Sequence, residues 1–141
     1  STVISDSVNI ASRIESLTKK YGTGLLISKS TLNSISHPEK YSYRFLGNIQ
    51  VKGKNEPVGI FEILDCLDDK IRDKRLATKE PFESAIKAYH RGNFGQAEAW
   101  FSEVLETDNN DPAANMYIEM SRQAIKEYAS SGRMFIFDSK E

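Results

Sequence analysis

The chain has 141 residues, of which 39% are hydrophobic and 28% charged, with a formal net charge of -1. That balance is ordinary for a water-soluble globular chain and excludes the basic surface of a non-specific nucleic-acid or anionic-membrane binder. Any phosphate chemistry must therefore come from a few placed cations. Cys66 is the single cysteine, so no intrachain disulfide can form, and a reducing, cytoplasmic setting fits. No apolar run approaches the roughly 20 residues of a membrane-spanning helix, so no membrane contact is expected from this segment. No signal-peptide pattern is read at the start. Ser1-Thr2-Val3-Ile4 reads as the end of a strand, so the chain is expected to be an excerpt of something longer.

Residues 6–21 read as a helix. Asp6 and Ser7 are good N-caps, Ile10, Ile14, Leu17 and Tyr21 recur at helical spacing, and Lys19-Lys20 before Gly22 closes it. Leu25 to Ser28 is a short strand, and Ser28 caps a weak helix over 29–36, stopped by His37-Pro38. Tyr41, Tyr43 and Phe45 alternate with polar residues, as a half-buried strand does. Ile49 to Lys52 and Val58 to Leu64 read as the arms of a hairpin turned by Gly53-Lys54-Asn55-Glu56-Pro57.

Residues 66–79 carry alternating charge and few apolar side chains, and read as a linker. Beyond it, in residues 80–141, the period becomes helical. Phe82, Ile86 and Tyr89 stripe one helix closed by Gly92, while Ala97, Phe101, Val104 and Leu105 stripe a second. Asp111-Pro112 opens a third that runs to about Tyr128, and Met134-Phe135-Ile136-Phe137 is a strand or an apolar plug. The fold class expected is α+β.

Asn9 and Arg13 stand four apart on the first helix, so an amide and a guanidinium project side by side from a rigid element. Such a pair suits a sugar next to a phosphate; it also suits a solvated helix face. The run Thr2-Val3-Ile4-Ser5-Asp6-Ser7-Val8-Asn9-Ile10-Ala11-Ser12-Arg13-Ile14-Glu15 resembles the strand-to-helix signature of class III nucleotide cyclases. It departs at Ser5, where that family usually has Gly. Val51-Lys52-Gly53-Lys54, some 40 residues on, resembles the family's strand-end motif.

The resemblance implies that residues 1–65 are the second half of a ferredoxin-like catalytic domain. It implies that Asn9 orients the ribose and Arg13 stabilises charge on the α-phosphate as the 3′-hydroxyl attacks. By the same carry-over Lys52 contacts the triphosphate and Thr2, seven residues before Asn9, reads the purine edge. A threonine there tilts the substrate toward ATP. The parent would convert ATP to cyclic AMP and pyrophosphate with magnesium or manganese at a homodimer interface, the metal aspartates coming from one subunit and the Asn and Arg from the other. Those aspartates precede Thr2 in the family, so no metal ligand is expected in this chain, and alone it should be inactive.

Asp68-Asp69, His37, His90 and Cys66 have no partners at ligand or catalytic spacing and read as structural or solvated residues. Ala85, Tyr89, Gly92, Phe94, Ala97 and Phe101 resemble one tetratricopeptide-like helix pair, with the expected proline delayed to Pro112. One such pair cannot bury its own face, so it should pack on the preceding domain or bind a partner protein. Two rivals to catalysis stay open: a cyclase-homology domain acting as a regulatory or dimerisation module, and a protein-interaction unit in the helical tail.

Overall fold

The computed structural model describes residues 25–49 and 55–131. Within them the architecture is α+β: a three-stranded antiparallel sheet packed against a helical layer. The expected helix over 6–21, residues 50–52 of the expected hairpin arm, Gly53 and Lys54 of its turn, and the apolar end at 134–137 lie outside the described residues.

Strand β1 is Leu25–Ser28 and leads into α1, Lys29–Ser34. The Ser28 hydroxyl oxygen accepts from the Thr31 amide at 3.1 Å, which satisfies one of the donors a helix start leaves unpaired. A single turn of 3-10 helix at Pro38–Lys40 follows the His37-Pro38 stop. Strand β2 is Tyr43–Ile49 and β3 is Val58–Ile63, and among the described residues the spatial order β1-β3-β2 leaves β1 and β2 as edges. Leu25 pairs with Ile63 across one side of β3, and Tyr43 with Ile63 across the other.

The two pieces read separately around Phe45 and Ile49 are one strand. The register slips between Phe45 and Gly47, so Leu46 is the extra residue of a β-bulge. A bulge reverses the alternation halfway along a strand, which is why a period-2 reading splits it. Gly47 sits at φ 127°, and a Cβ there would collide with the Tyr117 hydroxyl. Only glycine meets both demands.

The charged segment that reads as a linker is itself helical over Asp69–Ala77, named α2. Asp69 and Arg72 form an i,i+3 pair at 2.8 Å on its exposed side, while Arg75 turns inward and is buried. Three longer helices follow: α3, Lys79–His90; α4, Phe94–Thr107; and α5, Pro112–Ser130. Gly92, at φ 80°, turns the chain out of α3, and Asp111 with Pro112 at the first position starts α5. Among the described residues no helix is long and apolar enough to cross a membrane.

The sheet and the helices share one core. Phe82, Ala85 and Ile86 of α3, Ala97, Phe101 and Val104 of α4, and Ala113, Ala114 and Tyr117 of α5 close over Leu46 of β2. Phe101 stacks on Tyr117 with centroids 5.3 Å apart, and Phe82 meets Phe101 edge-on at 5.7 Å. The Tyr117 hydroxyl donates to the Leu46 carbonyl at 2.6 Å inside this core, and burial pushes its pKa well above the usual phenol range. Tyr117→Phe is expected to cost about 1–3 kcal/mol, because it leaves a buried carbonyl without its donor. Urea unfolding of the two chains checks this, and an unchanged midpoint would remove the bond from the account.

Candidate functional site

All four residues expected at the site, Thr2, Asn9, Arg13 and Lys52, lie outside the described residues. What the described residues contribute is the framework beside the Lys52 segment in sequence: β2 before it, β3 after it, and the helices clamped on them.

At the centre of that clamp is a buried charge cluster. Arg44 of β2 donates through Nε to Glu62 Oε1 of β3 at 2.9 Å. It also grips Asp111 with both terminal nitrogens, at 2.7 Å and 2.9 Å. Its guanidinium carbon lies 3.9 Å from the Phe82 ring centroid. Arg44, Glu62 and Asp111 are fully buried. Burial pulls the arginine toward neutrality, but Asp111 and Glu62 outweigh it and hold the pKa above the ordinary value.

Asp111 has a second task. Its Oδ1 accepts the Ala113 and Ala114 amides at 3.1 Å and 3.4 Å, which caps α5. Burial raises its pKa, and the Arg44 charge and hydrogen bonds, with Arg75 and the helix amide, bring it below the usual carboxylate range. Arg75 of α2 completes the cluster, 2.9 Å from Asp108 and 3.5 Å from Asp111. Asp108 is different: burial pushes its pKa up against the pull of Arg75.

This cluster has the wrong chemistry for a cation site. Both aspartates are already neutralised by arginines, and among the described residues no group of three His, Cys, Asp or Glu side chains could hold a metal. Its task is to join the sheet to the helical layer. Alternation along the strands gave no signal for it. Arg44 lies between Tyr43 and Phe45 and Glu62 between Phe61 and Ile63, so both stand on the face opposite those apolar side chains, which a period of two assigns to solvent and the helical layer covers.

His90 ends α3, and its Nε2 accepts the Asn48 amide at 3.0 Å, so the ring proton sits on Nδ1. Partial burial holds its pKa below 6.5. Because the folded value lies below the unfolded one, the unfolded chain takes up the proton first as pH falls. Stability should therefore decline as pH drops below about 6.5 and level off below the folded value. His90→Gln should flatten that part of a thermal-melt profile. A profile that keeps its slope would place the titration elsewhere. His37 pairs with Glu39 at 3.2 Å on the exposed surface, and Cys66 and Asp68-Asp69 are also exposed.

Several known proteins are similar to this chain. An adenylate cyclase of Anabaena cylindrica is 50% identical over 64 residues, covering 45% of this chain and 13% of that protein. The terminal-differentiation-specific adenylate cyclase of Dictyostelium discoideum is 30% identical over 126 residues, 89% of this chain and 6% of its own length. Adenylate cyclase 1 of Rhizobium meliloti (strain 1021) is 35% identical over 63 residues, 45% of this chain and 9% of that protein. The chain thus spans only a small part of each relative, 13% at most. No family model and no solved structure matches. The chain is related to a region of proteins named adenylate cyclase. A match of 126 residues in 141 takes in parts of both the sheet and the helical layer of this chain.

Proposed function

We propose that this chain is the C-terminal part of a class III adenylate cyclase catalytic domain, residues 1–65, followed by the charged segment 66–79 and a tetratricopeptide-like helical unit, residues 80–141. In the longer enzyme it takes part in converting ATP to cyclic AMP and pyrophosphate, as a homodimer in the cytoplasm. Asn9 and Arg13 are the catalytic pair, Lys52 binds the triphosphate and Thr2 reads the adenine. The observation that carries the reading is the 50% identity over 64 residues to a protein of that name, in a chain holding the signature from Thr2 to Glu15.

Magnesium or manganese would supply the Lewis acid at the α-phosphate, but among the described residues no group of side chains fits it. This chain's own groups would orient the ribose, through Asn9, and offset charge on the phosphates, through Arg13 and Lys52. Neither task needs the metal side of the site to be in the same subunit.

The 141-residue chain alone is expected to form no cyclic AMP from ATP with either metal, whereas a version extended toward the N-terminus to the length of its relatives' catalytic domains should do so. Turnover by the short chain above a buffer control, retained through purification, would show that it holds a complete site. An inactive extended protein would favour the regulatory-module rival.

A further inference from the structure

Helix α2, Asp69–Ala77, buries almost nothing. Of its nine residues only Arg75 is buried and Arg72 half-buried; the other seven, Ile71 and Leu76 among them, are exposed. Its N-cap residue, Asp68, makes no side-chain capping bond. A helix of this length falls short of the roughly 12–15 residues that persist alone in water. The exposed Asp69–Arg72 pair adds little. Arg75 is therefore what fastens α2 to the rest of the fold.

That fastening is weak. Arg75 Nε lies 2.9 Å from Asp108 Oδ2, yet the two atoms are not aligned as a hydrogen bond, and among the described residues neither makes one elsewhere. Asp111 is farther, at 3.5 Å, and both its oxygens are already held by Arg44. Burial opposes the pair from the other side too, since it pushes the Asp108 pKa up against the pull of Arg75. An ion pair whose desolvation is offset this poorly contributes little net stability. The sheet and the helical layer do not need α2 to stay together. Arg44 with Asp111, the Tyr117 hydroxyl on the Leu46 carbonyl, and the core around Leu46 join them directly.

We propose that α2 is a strap, latched by Arg75 onto Asp108 and Asp111, which opens locally while the sheet and the helical layer remain clamped. Closed, its nine residues span about 14 Å; open, they reach up to about 30 Å. The closed strap thus fixes the spacing of Asp68 and Thr78, and the open one leaves slack between β3 and α3. This device does not depend on the cyclase reading.

Residue-resolved amide exchange on the 141-residue chain tests it. In wild type the Leu76 amide of α2 should exchange at least about a hundredfold faster than those of Phe101 in α4 and Tyr117 in α5. Its rate should also respond less to urea, because a local opening exposes little surface. Arg75→Ala should speed Leu76 by about another tenfold while Phe101 and Tyr117 change by less than about threefold. Arg75→Lys keeps the charge without the planar fork and should fall between the two. Four results would each overturn the strap: Leu76 as slow as Phe101 in wild type, equal acceleration of all three amides in Arg75→Ala, no acceleration of Leu76 there, or an Arg75→Ala chain that does not fold.

Discussion

Arg44→Ala is expected to destabilise the chain by about 3–5 kcal/mol, the loss typical of removing one partner from a buried ion pair. The substitution removes the guanidinium that Glu62 and Asp111 share in sites without solvent, and leaves Asp111 only the more distant Arg75 at 3.5 Å. It also takes the guanidinium from above Phe82. A small domain has roughly 5–15 kcal/mol in total, so the variant should melt far below wild type. Arg44→Lys should recover only part of this. An ammonium cannot hold both Asp111 oxygens and Glu62 from one planar group. Because the cluster is buried, the difference between wild type and Arg44→Ala should change little between low and high salt. A loss under about 1 kcal/mol, or one that vanishes in salt, would mean that Arg44 behaves as a surface charge.

The second large effect rests on the proposed function. In the extended enzyme Arg13→Ala should lower kcat by roughly a hundredfold or more with little change in KM, as for a donor aimed at charge that develops in the transition state. A sharper form uses two inactive proteins, Arg13→Ala and a variant lacking a metal aspartate. If the two kinds of group come from opposite subunits, the mixed dimer contains one intact site. Random pairing makes about half the dimers mixed, with one good site of two, so roughly a quarter of wild-type activity should return on mixing. Heterodimers that form and remain inactive would remove Arg13 from the role given to it. This experiment leaves the sheet–helix clamp untouched, so its outcome is independent of the Arg44 series.

Local chemistry made much of the fold legible from the residues alone. Ser28 as a cap, the stop at His37-Pro38, Gly92 after α3 and Asp111-Pro112 before α5 each act within a few residues of themselves. So do the apolar stripes of α3 and α4, whose period is set by the helix itself. The runs from Thr2 to Glu15 and from Val51 to Lys54, which resemble class III cyclase signatures, are likewise local, and the similarity to adenylate cyclases is one of sequence. Tertiary structure alone decided what joins these pieces. Arg44 and Asp111 are 67 residues apart in sequence, and Tyr117 and Leu46 are 71 apart. No periodicity links such positions. Their pairing follows from which face of the helical layer lands on which strand. The bulge at Leu46 shows the same limit on a smaller scale, since one inserted residue shifts the alternation and can be seen only against the partner strand. The charged stretch over Asp69–Ala77 follows the same logic. Its alternating charges look solvated when counted along the chain, but Arg75 is held inside by Asp108 and Asp111, which arrive from beyond α4. A buried ion pair needs both partners desolvated together, and only the folded arrangement can supply the second one.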